Sequence, residues 1–345
     1  MIVALNGVAM ISQISICLLF LFISGSLAHA QTNSGFYTGG KINVVIGLGA
    51  GGAYDVHARL LSRHMGKHIE GNPVLVAQNM TGAGGLVMAN WLYNVAPKDG
   101  STFGAVANTM PALQVVGGKG VQFDARKFSW LGAVTPSIQT IGAWRERGVL
   151  TIEEAQKTEV VVAASSPGAI AYAFPKLLNE FIGTRFKIIT GYQGVTQMSL
   201  AMERREVDAH ANTWSGWKTS NREWLEQGKI VILAQINPKA VDLPGVPAVE
   251  DMVKGEDERK IVNFVVSGNR LGRPFATPPG VPADRVAILR SAFAATMNDP
   301  EFLQDANRLN VDVAPVLGVD IQRFVDITTS IDLRLAERAK PFLAD

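Results

Sequence analysis

The chain has 345 residues, 32 of them Lys or Arg and 30 Asp or Glu, so its formal net charge is only +2, and it contains one cysteine. Such a balance gives no basis for a nucleic-acid partner, and Cys17 alone excludes a disulfide framework or a thiolate metal site. The length suffices for two domains of ordinary size, each with its own core.

Residues 1–30 carry no Lys, Arg, Asp or Glu, and the run from Ile14 to Gly25 is apolar enough for a signal-peptide core but short for a membrane span. Ala28-His29-Ala30 supplies a small-x-small cleavage pattern before Gln31. The expectation is a signal peptide over 1–30 and a mature protein, without Cys17, in the periplasm. The segment before the apolar core lacks the usual Lys or Arg, so an uncleaved anchor or a different start stays open.

After this segment, short apolar runs alternate with amphipathic stretches. Strands are expected near 42–47, 73–78, 102–107, 137–143, 159–164, 185–190, 206–211, 229–235 and 261–267. Helical patterns fill most of the gaps, which argues for α/β architecture with largely parallel sheets. In the first helix Val56, Leu60, Leu61 and Met65 form the apolar stripe, and Gly71-Asn72-Pro73 ends the segment. A seam is expected after 129–133 and a second α/β set up to about Lys260. An extended, proline-rich stretch over 272–282 then leads to an all-helical ending, whose apolar positions Ile288, Leu289, Ala292, Phe293, Ala295 and Met297 need the first domain as a partner. Two lobes joined by two crossings suit closure around a ligand. The expected layout is 36–136 with 264–345 in lobe 1 and 137–263 in lobe 2.

Two glycine-rich turns, Gly47 to Gly52 and Gly82 to Gly85, lie where a strand hands over to a helix, and each can present backbone N–H groups and a positive helix end to an anion. No Arg or Lys falls between Val44 and Val56 or between Val74 and Asn90, so an anion there would be held by backbone dipoles. Gly47-x-Gly49-x-x-Gly52 matches the dinucleotide fingerprint in letters, but Gln78-Asn79 stands where the ribose-binding acid belongs. A purely structural tight turn is the competing reading. His57, His64 and His68 fall along one helical face without a carboxylate partner at i+4, which favours a solvated face over a metal site, and His210 stands alone at a strand end. Ser215-Gly-Trp-Lys218 has Ser-x-x-Lys spacing without its companion motifs. Further turns at strand ends, 164–168, 191–194 and 212–217, offer hydroxyls, amides and Trp214 and Trp217 as an opposite wall, unless the two indoles are core residues.

The runs GLGAGGAYDVHARLL, VLVAQNMTGAGGLVMANWLYNVAPKDGSTFG, ITGYQGVTQMSLAMERREVDA and GRPFATPPGVPADRVAILRSAFAATMNDPEF together resemble the Bug family, the extracytoplasmic solute receptors of tripartite tricarboxylate transporters, over about Tyr37 to Lys340. The resemblance implies a two-lobed periplasmic binding protein of type 2 that closes on a small carboxylate and hands it to a two-subunit membrane permease. From the residues themselves, a monomer without cofactor, metal or catalysis is expected, since the net charge is small and neither a metal ligand set nor a complete dinucleotide fingerprint is present. The family's carboxylate-gripping turns map to Gly51, Gly52, Ala53 and Asp55, and to Gly82, Ala83, Gly84 and Gly85. Its hydroxyl-rich turn in lobe 2 maps to Ser165, Ser166 and Gly168, although Ala169 and Ile170 after it are apolar. Ala50 and Tyr54 stand where many relatives have Pro and a small residue, and Tyr54 is expected to narrow the pocket or stack on a flat ligand. Tyr192 and Trp214 complete the expected ligand-binding set. The alternative is an exported enzyme using the same cleft, for which Asp55 and His57 are the available titratable groups.

Overall fold

The computed structural model describes residues 35–165 and 169–343. Of the unit Met1–Phe36 only Gly35 and Phe36, in a turn, fall in this range; the signal-peptide reading of 1–30, Cys17 included, lies outside the described residues. The elements below belong to the compact unit Tyr37–Asp345.

The chain begins with β1 (Lys41–Ile46), α1 (Ala53–His64), β2 (Val74–Asn79), α2 (Leu86–Asn94), β3 (Thr102–Ala105), α3 (Met110–Val115) and β4 (Ser129–Ala133). β1 pairs in parallel with β2 on one side and β3 on the other. Its residues Ile42, Val44 and Ile46 join one core cluster while Val45 joins another, so the strand is covered on both faces, as a central parallel strand must be.

The chain crosses over 134–138 into a second sheet with β5 (Gln139–Trp144), β6 (Val160–Ala163), α4 (Ile170–Ile182), β7 (Phe186–Ile189), α5 (Val195–Glu203), β8 (Ala209–Thr213), α6 (Trp214–Ser220), β9 (Ile230–Gln235) and α7 (Glu256–Val265). The strand order is β7-β6-β8-β5-β9, with β6 parallel to β7 and β8 and with β5 antiparallel to β8 and β9. A return over 266–274 brings the chain to β10 (Phe275–Thr277), α8 (Ala283–Thr296), α9 (Pro300–Arg308), β11 (Val316–Leu317), α10 (Gly318–Thr329) and α11 (Leu333–Leu343). β10 slots between β3 and β4, antiparallel to both, giving the order β11-β4-β10-β3-β1-β2.

The two-lobed α/β architecture therefore follows the expectation, with three corrections. The sheets are mixed: in the first, β10 enters from the other lobe and runs against its neighbours, and in the second, β5 runs against β8 and β9. The segment 261–267, expected as a strand, is mostly the end of α7: its apolar residues Ile261, Val262, Phe264 and Val265 are a buried helical face, and Glu256, Asp257 and Glu258 load the first turn with the charge that a helix N-terminus favours. The helical ending packs on the first lobe only in part. Leu289, Phe293 and Phe302 cover the first sheet, whereas Leu335, Ala339 and Phe342 of α11 belong to the core of the second.

The two crossings lie side by side. Ser137 N–H donates to the Asn269 carbonyl at 2.9 Å, and Val106 N–H, just past β3, ties the second crossing to the first sheet through the Pro274 carbonyl at 3.0 Å. Gly272 sits at φ +64°, and a Cβ there would clash with the Thr135 carbonyl oxygen of the other crossing, so this contact requires glycine twice over. Among the described residues no helix is long and apolar enough to cross a membrane.

Candidate functional site

Both glycine turns lie at the carboxyl ends of the parallel strands β1 and β2, where open α/β sheets form their ligand crevice. They adjoin: a Cβ at Gly47 would stand 3.4 Å from the Gly85 Cα, an ordinary contact. Gly52 caps α1 with no side-chain hydrogen bond. The first N–H groups of that helix, from Ala53 and Tyr54, have no intrahelical acceptor by helix geometry.

In the second turn Gly82, Ala83, Gly84 and Gly85 all have positive φ, at 144°, 45°, 62° and 98°. For Ala83 this is an uncommon conformation, held because its neighbours are glycines and because Gly85 N–H bonds the Gly82 carbonyl at 3.0 Å. Ala83 and Gly84 are exposed, and among the described residues no backbone acceptor takes their N–H groups. Left-handed runs of this kind make concave anion sites from backbone donors.

Asp55, expected as a ligand or as a support for one, is buried inside the first turn. Its carboxylate accepts from Gly51 N–H at 2.9 Å, Arg59 Nε at 2.9 Å and Asn79 Nδ2 at 3.0 Å. Asn79 also donates to the Leu48 carbonyl at 2.9 Å, which ties the turn to the end of β2. The Arg59 guanidinium is the largest cause of a carboxyl pKa held down at about 2, against the opposing effect of burial. Asp55 is thus a brace, and Arg59 neutralises a charge that would otherwise repel an anion from the helix N-terminus.

Tyr54 is not placed as a stacking platform. Its ring packs against the first-lobe core, and its hydroxyl accepts from Asn108 N–H at 2.8 Å; burial pushes that hydroxyl up to about 12. Asn108 Nδ2 donates to the Gly268 carbonyl at 2.8 Å, so α1, the end of β3 and the second crossing form one connected frame.

Sequence reasoning missed Arg273. It lies between Gly272 and Pro274 in the second crossing and is only 9% exposed. Its charge reaches the Tyr54 hydroxyl and the His57 imidazole on α1. Burial first, and Arg273 second, lower His57 to about 3, so this imidazole is neutral at physiological pH. The expectation that backbone dipoles alone would hold an anion considered only the turns' own segments; the fold brings the Arg273 charge to Tyr54 and His57 from more than 200 residues away, and no local pattern announces it. A Gly-Arg-Pro inside a stretch expected to cross between lobes was the available signal.

The histidines do not form a solvated face. His64 Nε2 meets Asp305 of α9 at 3.0 Å and His68 Nε2 meets Asp299, the N-cap of that helix, at 2.7 Å, while His57 is buried. Among the described residues no group of three or more His, Cys, Asp or Glu is arranged to hold a metal. His210 is fully buried, stacked on Trp217 with ring centroids 4.4 Å apart.

On the second lobe, Ser165 is half-buried and its carbonyl accepts from Gly191 N–H at 2.9 Å, while Tyr192 packs partly against the core. Ser166 and Gly168 lie outside the described residues. The two indoles have separate fates. Trp217 is core; Trp214 is half-buried, donates to Asp242 at 2.7 Å and lines a cavity of about 530 Å³ with Lys218 and, from the first lobe, Asn307, Asn310 and Asp312. Lys218 reaches Asp312 across this opening at 3.4 Å.

No protein-family model and no curated protein matches the chain. Solved structures do match. A periplasmic binding protein, BugD, is 20% identical over 88% of this chain and 97% of its own, with a TM-score of 0.61. MatC from Rhodopseudomonas palustris with bound malate is 20% identical over 87% and 99%, TM-score 0.61. A further R. palustris protein, with adipate, is 19% identical over 87% and 97%, TM-score 0.62. The chain has the two-lobed fold of these periplasmic binding proteins.

Proposed function

We propose that the protein is an extracytoplasmic receptor that captures a small carboxylate between its lobes and delivers it to a membrane permease. The observation that carries this reading is the adjoining pair of glycine turns with unclaimed N–H groups, in a fold shared with structures that hold malate and adipate. Ala53 and Tyr54 N–H from one turn and Ala83 and Gly84 N–H from the other would grip one carboxylate, with Gly51, Gly52, Gly82 and Gly85 giving it room. Asp55 would hold the first turn in shape. Ser165, Ser166, Gly168, Tyr192 and Trp214 would close from the second lobe.

The titratable groups near these turns support a binder over a catalyst. Asp55 is held ionised by Arg59, His57 is neutral and buried, and the Tyr54 hydroxyl is buried and accepts a backbone hydrogen bond. None is poised near neutral pH for proton transfer.

In a thermal-shift panel, carboxylates should raise the melting temperature while their amides and methyl esters leave it unchanged. Mass action gives about 2.7 kcal/mol at a ligand concentration a hundredfold above Kd. The half-buried Trp214 should report closure as a change in intrinsic fluorescence that disappears in Trp214→Phe. Stabilisation by the amides to the same extent, or turnover of an added carboxylate, would overturn the receptor reading.

A further inference from the structure

The second crossing holds an arrangement that the glycine turns do not explain. Arg273 carries five N–H donors and a permanent charge, is nine-tenths buried, and among the described residues has no hydrogen-bond or ion-pair partner. Its nitrogens are not among the fully buried atoms that lack a partner, so the charged end of this otherwise buried side chain reaches open space, where an acidic group can meet it. Asn269, three residues before Gly272 and bonded to it through its carbonyl at 3.2 Å, also has a buried side-chain amide nitrogen with no partner.

Arg273 and Asn269 follow a chain of contacts that begins at the first glycine turn. Tyr54, in the first turn of α1, is bonded to Asn108, Asn108 to Gly268, and Gly268 adjoins Asn269. Gly272 is pressed against the other crossing at Thr135, which fixes the origin of the Arg273 side chain at the junction of the lobes. Both unpartnered groups are donors. Among the described residues no carboxylate pairs with either.

We propose that Arg273, on the crossing between the lobes, is a second anion-binding point that takes a further acidic group of the ligand, with the Asn269 amide four residues before it as a further donor. This rests on the receptor reading above and adds to it a specificity-determining residue. The first carboxylate sits on backbone donors, and the second meets a fixed cation whose planar fork suits a carboxylate. A ligand carrying two acidic groups is then preferred over the same skeleton carrying one.

The test is isothermal titration of the wild-type chain, Arg273→Met and Arg273→Gln with adipate and hexanoate, and with malate and 3-hydroxybutyrate, alongside the melting temperature of each unliganded protein. The wild type should bind the better diacid at least tenfold more tightly than its monoacid partner. Both variants should lose that preference, with diacid affinity falling at least tenfold and monoacid affinity nearly unchanged, and their unliganded melting temperatures should be equal to or above the wild-type value, since an uncompensated charge has been removed. Retained diacid preference in the variants overturns the inference and leaves the receptor reading intact. So does a large drop in the unliganded melting temperature, or failure of both variants to fold, because Arg273 is then a structural cation. A wild type that binds no carboxylate overturns both.

Discussion

Gly52→Val should abolish carboxylate binding and leave the fold in place. Gly52 has φ −78° and ψ 169°, an extended conformation open to any L residue, and a Cβ there meets only the Gly49 carbonyl oxygen, at 3.3 Å. Losing glycine at a helix N-cap costs on the order of 1 kcal/mol, a few degrees in melting temperature for a chain of this size. The branched side chain, however, stands over the first N–H groups of α1, where the ligand's oxygen atoms must approach. Two charge-assisted hydrogen bonds of about 1.5–3 kcal/mol each are then lost, so affinity should fall a hundredfold or more. Titration calorimetry and far-UV circular dichroism on the same preparation decide the matter: full affinity in a folded variant removes the first turn from the site. Gly84 is a poorer target for valine, because its φ of +62° would strain any β-branched residue whatever the ligand does. Gly84→Asn, which tolerates that region, is the fair companion.

Asp55→Ala should have the largest effect on stability of any substitution near the turns. It leaves the Gly51 N–H, the Arg59 guanidinium and the Asn79 amide without their shared acceptor, and a loss of about 2–4 kcal/mol is expected. The same carboxylate makes stability depend on pH. Its folded pKa, about 2, lies below the ordinary 3.8, so its contribution is fully present above pH 4 to 5 and is lost as pH falls towards 2. The shift corresponds to about 2 kcal/mol. Denaturant melts of wild type and Asp55→Asn between pH 7 and 2 should therefore converge in acid by about that amount, with residual acid sensitivity from Asp299, which Lys67 and His68 also hold down. Parallel pH profiles for the two proteins would show that Asp55 is not the brace described.

The glycine turns were readable because strand, glycine run and helix are contiguous in sequence and each has its own period. So were most strands of both sheets. What escaped was non-local. β10 and β11 are three and two residues long and exist only through pairing with β3 and β4. The end of α7 looked like a strand because Ile261, Val262, Val265 and Val266 are β-branched, and tertiary burial overrides that preference. Asn79 was noticed only as an acid that was missing; its work, joining Leu48 to Asp55, depends on the β1–β2 register. Arg273 needed the whole fold.

The last helix completes a core begun two hundred residues earlier. Phe342 lies 5.8 Å from Phe181, Lys176 reaches the Pro341 carbonyl at 2.9 Å, and Arg334 and Arg338 pair with Asp257 and Glu258 of α7. These residues follow Phe181 by about 160 positions, so the second lobe lacks a wall until the chain has been made through 333–343. A protein stopped after Asp332 should keep a protected first sheet in hydrogen exchange while the second exchanges freely. Protection of the second sheet therefore waits for a segment that follows the return crossing, although its strands precede that crossing in the chain.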